Sequence, residues 1–259
     1  MDNTYKTRII AFIGKKQSGK DTSCQFLINV LNERINHLLD IKPSLDFPHN
    51  WNKDIANQYS FAFALKNFGI EVFGFTYNQM FGTNEEKNEY SQNIMWRNIP
   101  LPFDQKVHLY KSIPSRAYKE GIPFEQAYLT GREWLQIFGS EICREMWADC
   151  WAQNTILRIG RQHPRYALIS DARFPNEIKV LLHHNHPNIH PEPIFLKLCR
   201  NPLNDKHFSE TALDNFDFSF IKHFYLIDNI NLSQQEKEQQ ILTHLDWLIN
   251  NSKELLCNL

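Results

Sequence analysis

The strongest constraint on the fold is an alternation. Short apolar, β-branched runs recur along the chain: RIIAFI (8–13), RYALIS (165–170), PIFLKLCR (193–200) and HFYLID (223–228). Segments with a helical period stand between and after them. One runs from Asp21 to Leu39, with apolar residues at Phe26, Leu27, Val30, Leu31, Ile35, Leu38 and Leu39. Another starts at Thr130, and others cover 148–162, the stretch from Phe174, and 233–250. QYSFAF (58–63) reads as a further strand leading into a helix near ALKNFGIEVFG. Apolar runs of this length read as buried strands. Strand–helix alternation predicts an α/β protein whose mostly parallel central sheet carries helices on both faces. Such sheets bind ligands at the carboxyl ends of their strands. Three polar clusters fall there: Gly14–Thr22, Asp171–Arg173 and Arg200.

The 259 residues are read as a single domain, with 42% hydrophobic and 22% charged residues, an ordinary globular balance. Residues 40–57 read as a connection. Residues 83–128, with prolines at 100, 102, 114 and 123, read as an irregular or partly helical insertion without firm elements. A net charge of −1 offers no basic field for a polyanion, so stable nucleic-acid binding is not expected. Five cysteines without a C-x-x-C pair argue against a disulfide framework or zinc site, and for a reducing cytosol. His183, His184, His186 and His190 lie among Asn and Pro and read as a solvated turn rather than a metal site. No signal-peptide core and no membrane-spanning run is expected.

Four segments carry candidate chemistry. The first, GKKQSGKDT (14–22), has Gly14, Gly19 and Lys20 in G-x-x-x-x-G-K spacing between a strand and a helix. Glycines let backbone N–H groups turn toward phosphate oxygens, and a helix start adds its positive end. Lys20 would bridge the outer phosphates. Asp21 stands where Ser or Thr would ligate Mg²⁺; it is an oxygen ligand too, or else an anchoring or capping group, with Thr22 one residue on. The second, TGREWLQIFGSEICR (130–144), opens on a Thr130/Glu133 capping box. Trp134, Leu135, Phe138, Ile142 and Met146 form its apolar stripe, while Arg132 and Gln136 share another face, either solvated or set to grip a phosphate and read a base. In the third, ISDARFPNE (169–177), Asp171 ends a strand, Arg173 and Glu177 follow, and Pro175 suits a first helical turn. The fourth, KLCRNPLNDKHFSE (197–210), is a basic loop, either solvated or closing over a nucleotide.

Taken in order, GKKQSGKDT, FALK (63–66), TGREWLQIFGSEICR, DCW (149–151), SDARFPNE and Ser209–Glu210 resemble the deoxynucleoside monophosphate kinases of tailed phages, over about residues 8–245. In that family the loop often reads G-x-x-x-S-G-K-D-T. The resemblance implies a three-layer P-loop kinase fold and transfer of the ATP γ-phosphoryl group to a deoxynucleoside 5′-monophosphate, in a cytoplasm that is the host's if the chain is viral. It implies ATP at Gly14, Lys15, Gln17, Ser18, Gly19, Lys20, Asp21 and Thr22, with Asp21 and Thr22 toward Mg²⁺. It places Arg132 and Gln136 at the acceptor, Asp171, Arg173 and Glu177 beside the two phosphates, and Lys66, Trp151 and Arg200 as a basic group, an aromatic wall and a lid arginine. Lys20, Asp171, Arg173 and Arg200 would carry catalysis, by positioning and charge neutralisation. Residues 83–128 match nothing in the family and are placed on the acceptor side. Base choice, sugar preference and dimerisation stay open, as do two other readings: a kinase of another phosphorylated metabolite, and a nucleotide-binding module without turnover.

Overall fold

Every residue of RIIAFI after Arg8 is buried, so this strand has to lie inside a sheet covered on both faces. In the computed structural model, which describes residues 5–15, 18–38, 55–113, 115–199 and 211–249, it does. β1 (Arg8–Ile13) pairs with β5 (Tyr166–Ala172) on one side and β6 (Ile194–Cys199) on the other. β2 (Ala56–Tyr59) lies outside β5, and β7 (Phe224–Asp228) outside β6. All four pairings are parallel. On one face Ile10, Phe12, Leu168 and Leu196 pack with Cys24, Leu27 and Leu31 of α1 (Lys20–Leu38). Ile241 of α10 (Gln234–His244) and Leu248 of α11 (Asp246–Ile249) join the same cluster. Residues of the opposite parity, Ile9, Ile13 and Ile169, are equally buried. α8 (Cys150–Gln162) and α9 (Pro175–His183) bring buried Ile156, Ile159, Ile178 and Leu181 to this part of the chain. The molecule is thus α/β with a parallel central sheet, as the alternation predicts.

This sheet belongs to one of two compact units, built from Met1–Phe61 and Ala152–Leu259; the other is Ala62–Trp151. Two expectations within the sheet unit need correction. QYSFAF does not run as a strand to Phe63: β2 stops at Tyr59, because the Ser60 hydroxyl and the Phe61 amide turn to the Asp171 carboxylate instead of continuing the ladder. The His-rich turn is solvated only in part: His183, Asn185, Pro187 and Asn188 are exposed, while His184, His186 and His190 are half-buried. Thr7 bridges to Ile189, and the amide of His190 donates to the Thr7 carbonyl at 2.8 Å. The His186 ring lies where a side chain on Gly160 would be, 2.1 Å from that position. Burial first, then repulsion from His186 and His190, lowers the pKa of His184.

In the second unit the stretch read as irregular or partly helical, 83–128, is partly helical, and the whole unit has defined elements. They are α2 (Phe63–Phe73), α3 (Tyr77–Phe81), α4 (Asn84–Lys87), β3 (Tyr90–Met95), α5 (Phe103–Ser112), α6 (Arg116–Lys119), β4 (Tyr128–Thr130) and α7 (Gly131–Gln136). β3 and β4 pair antiparallel. Trp96, Tyr110, Leu129 and Ile137 centre one core; Leu65, Phe75, Met80 and Trp134 centre another. The Thr130/Glu133 capping box forms as the sequence requires. Past Gln136 the helix widens to a π-helix, Ile137–Arg144. That ends the apolar stripe early: Met146, expected on it, is 83% exposed. Among the described residues no helix is long and apolar enough to cross a membrane.

Candidate functional site

Gly14 follows the buried end of β1, and Lys20 opens α1. A side chain at Gly14 would meet Ser18 Oγ at 2.6 Å and the Leu198 carbonyl of β6 at 3.0 Å, so the chain can pass only as glycine. Gly19 has φ +82°, in the left-handed region that glycine adopts at no steric cost. Between these hinges the loop folds around Lys20, which is only 5% exposed. Its Nζ donates to the Gly14 carbonyl at 2.7 Å and the Lys15 carbonyl at 2.6 Å, with Ser18 Oγ at 3.4 Å. The loop thus closes on its own ammonium group, beside the N-terminus of a 19-residue helix. Ammonium and helix end both favour an anion there.

Lys15 points out to Asp214, 3.0 Å away. Asp21 and Thr22 are exposed in the first turn of α1. Asp21 makes no hydrogen bond or ion pair among the described residues, so the anchoring role open to it in the sequence has no hydrogen bond behind it. Its charge is nonetheless felt inward: burial first, then the Asp21 and Asp171 carboxylates, drive the Cys24 thiol far above its usual range. Both carboxylates therefore lie near the first turns of α1.

Asp171 owes its place to a register shift. Ala11 pairs with Ile169 but Ile13 with Ala172, so β5 holds one extra residue across Ser170–Asp171. Such bulges re-aim a side chain at a strand end. The Asp171 carboxylate accepts from Ser60 Oγ at 2.6 Å and from the Phe61 amide at 2.8 Å. Two residues on, Arg173 stands where β5 gives way to α9. Glu177, 2% exposed, accepts from the amides of Arg173 (2.8 Å) and Phe174 (3.0 Å). Its carboxylate caps α9 and fixes the backbone that carries Arg173. The register Ile13↔Ala172 and Ile13↔Lys197 sets the glycine-hinged loop level with the ends of β5 and β6. So Gly14–Thr22, Asp171, Arg173 and Glu177 gather at neighbouring strand ends. Gln17, Arg200, Lys206, His207, Ser209 and Glu210 lie outside the described residues.

Two further side chains act on the loop and have no counterpart among the sequence candidates. Asn229, just past β7, donates its Nδ2 to the Ser18 carbonyl at 2.7 Å. Lys237 of α10 is 3% exposed, and its Nζ lies 3.2 Å from where a Gly19 side chain would begin. Asn229 was within reach of the strand-end rule that found Asp171, since it directly follows the HFYLID strand. Lys237 sits in a polar helical stretch with nothing to mark it.

In the second unit, Arg132 and Gln136 both stand on α7. Gly131 lets α7 approach α3, since a side chain there would meet the Gln79 carbonyl at 2.5 Å. The Arg132 guanidinium donates through Nε to Asn88 Oδ1 (3.1 Å) and through a terminal nitrogen to Asn84 Oδ1 (2.6 Å). Lys66 of α2 places its ammonium 4.8 Å from the Phe81 ring centre, a cation–π contact. Trp151 donates its indole N–H to the Gly139 carbonyl of the π-helix at 3.1 Å, so it braces that helix.

No protein-family model matches the chain, and a search of curated proteins returns no match. Among the described residues, no group of three His, Cys, Asp or Glu side chains is arranged to hold a metal ion. The chemistry of the site follows from its own geometry.

Proposed function

We propose that the protein is an ATP-dependent deoxynucleoside monophosphate kinase with a three-layer P-loop kinase fold, converting the 5′-monophosphate and ATP to the diphosphate and ADP. The observation that carries the reading is the buried Lys20 ammonium, folded onto the Gly14 and Lys15 carbonyls inside a glycine-hinged loop at the start of α1. The triphosphate of ATP would bring its charge to this ammonium group and also meet the loop amides and the helix end. Asp171 and Arg173, at the adjacent strand end, would border the reacting phosphates. On the acceptor side, Arg132 would hold the monophosphate and Gln136 a base edge, with Lys66 and Trp151 drawn from the same unit.

The donor set fits Mg²⁺, a hard cation that keeps several waters and takes one or two protein oxygens beside substrate phosphates. Asp21 and Thr22 supply such oxygens, exposed at the helix start; Mg²⁺ there would offset phosphate charge. No general base is required, because the acceptor phosphate is itself an adequate nucleophile. The protein's task is to position two anions and neutralise them.

The test is a panel of deoxynucleoside and ribonucleoside monophosphates with ATP and Mg²⁺, read as ADP release. Turnover with at least one deoxynucleotide, lost in Lys20→Ala, is expected. Absence of turnover with every deoxynucleotide overturns the reading. Turnover only with another phosphorylated metabolite keeps the ATP chemistry and replaces the acceptor.

A further inference from the structure

Arg132 is half-buried, yet among the described residues it has no acidic partner. Acids are close at hand. Glu133, its chain neighbour, spends one carboxylate oxygen on the Thr130 amide and the other on the Arg116 amide. Glu120 takes the Arg116 guanidinium and the Tyr90 hydroxyl. Glu86, between the two asparagines on α4, takes the Thr83 amide and the Asn78 side chain. What faces Arg132 instead is a pair of amides four residues apart, Asn84 and Asn88, each presenting its oxygen. Asn88 is fixed in turn, its carbonyl accepting from Arg116 at 3.0 Å.

The chemistry of that choice is specific. A guanidinium has five N–H donors in a rigid plane. Two are taken by the amide oxygens, which leaves three (5 − 2). Both partners are neutral, so they set the plane of the group without cancelling its charge. A carboxylate in either place would orient it equally well but would neutralise it and compete with an incoming anion.

Resting on the kinase reading, we propose that Asn84 and Asn88 are positioning residues for the acceptor. They hold the Arg132 guanidinium in one orientation and keep its charge and free edge for the 5′-phosphate of the deoxynucleoside monophosphate. α4, a single helical turn with no residue among the motif candidates, thereby becomes part of the acceptor site.

The test uses the full chain and equilibrium binding of a deoxynucleoside monophosphate, of the matching deoxynucleoside without phosphate, and of ATP. Asn88→Asp changes shape least and places a carboxylate on Arg132. It is expected to weaken monophosphate binding roughly tenfold or more, with deoxynucleoside and ATP binding unchanged and no loss in urea midpoint. The Asn84→Ala/Asn88→Ala double variant should lose less, because it frees the guanidinium without neutralising it. In an Arg132→Ala background, the Asn84→Ala/Asn88→Ala pair should add no further loss, a coupling that a purely structural role would not show. A folded Asn88→Asp variant that binds monophosphate as the wild type does, in a protein that turns it over, overturns this inference alone. A wild type that binds no nucleoside monophosphate removes the inference together with the kinase reading.

Discussion

Gly14 shows how little freedom the loop has. A methyl group at this position meets one group that can turn away, Ser18 Oγ at 2.6 Å, and one that cannot, the Leu198 carbonyl at 3.0 Å within β6. Its own carbonyl is also a partner of Lys20. Gly14→Ala is therefore expected to cost about 1–3 kcal/mol of stability by overpacking and, on the proposed reading, to cut ATP affinity by more than Gly121→Ala, where a side chain meets nothing within 4 Å and the strain is only that of a left-handed φ of +72°. Urea midpoints and ATP titrations on the two variants check this. Adding Ser18→Gly to Gly14→Ala separates the two contacts: recovery of ATP affinity assigns the damage to Ser18, and no recovery assigns it to β6. The glycines and Lys20 were legible in the sequence because their spacing has a backbone reason. Lys237 and Asn229 were not, because their role comes from the strand order that lays the last strand's exit beside the loop. Asp171 was legible as a strand-end acid. The bulge that aims it, and the Ser60 hydroxyl that holds it, depend on pairing with β1 and on where β2 stops.

The capping box that opens α7 is a case where local chemistry decided the structure. Thr130 Oγ1 accepts from the Glu133 amide at 3.2 Å, and Glu133 returns a bond to the Thr130 amide at 2.8 Å. Both groups are buried, and Glu133 also accepts from the Arg116 amide at 2.7 Å. Thr130→Ala should cost about 1 kcal/mol, the usual effect of losing such a cap. Glu133→Ala should cost more, since it strands the buried Thr130 amide, at about 1–3 kcal/mol, and also frees the part-buried Arg116 amide. Urea unfolding of the two variants ranks them; a smaller loss for Glu133→Ala would mean that α6 does not depend on this link. Helix period failed just beyond this point. The pattern Trp134, Leu135, Phe138, Ile142, Met146 assumes 3.6 residues per turn, but the π-helix from Ile137 turns more slowly and rotates Met146 into solvent. Gly139 belongs to that widened turn: a side chain there would meet Leu65 at 2.6 Å, and its carbonyl takes the Trp151 indole. Residues 83–128 resisted reading for a related reason. Their helices and strands are short, from three to ten residues, so no period repeats often enough to be seen. Their order comes from the shared core around Trp96 and Tyr110.

The chain consists of a discontinuous sheet unit and a continuous unit, Ala62–Trp151, inserted in its sequence. The sheet unit needs both flanking pieces, since β1 and β2 precede the insertion while β5, β6 and β7 follow it. It can close only after residues more than a hundred positions apart have met, as in the Tyr166 pairing with Arg8 and Ala56. Long-range parallel pairing of this kind is slow. The inserted unit depends on nearer contacts: an aromatic core in which Trp134 stacks on Phe138, caps at Thr76, Thr83, Ser115 and Thr130, and one short antiparallel pair. At about 90 residues it is within the size that folds alone. A fragment of residues 62–151 is therefore expected to unfold cooperatively in urea, with near-ultraviolet dichroism from buried Trp96 and Trp134. It should also refold faster than the whole chain. Ending the fragment at residue 148 removes Trp151 and its bond to Gly139, and should lower the urea midpoint by loosening the π-helix. A fragment with helical far-ultraviolet dichroism but no near-ultraviolet signal and no cooperative transition would show that the inserted unit takes its order from the sheet unit. The arrangement of Arg132 with Asn84 and Asn88, proposed above to hold the acceptor, would then exist only in the complete chain, and the monophosphate binding that the proposal expects of a self-folding fragment would be lost with it.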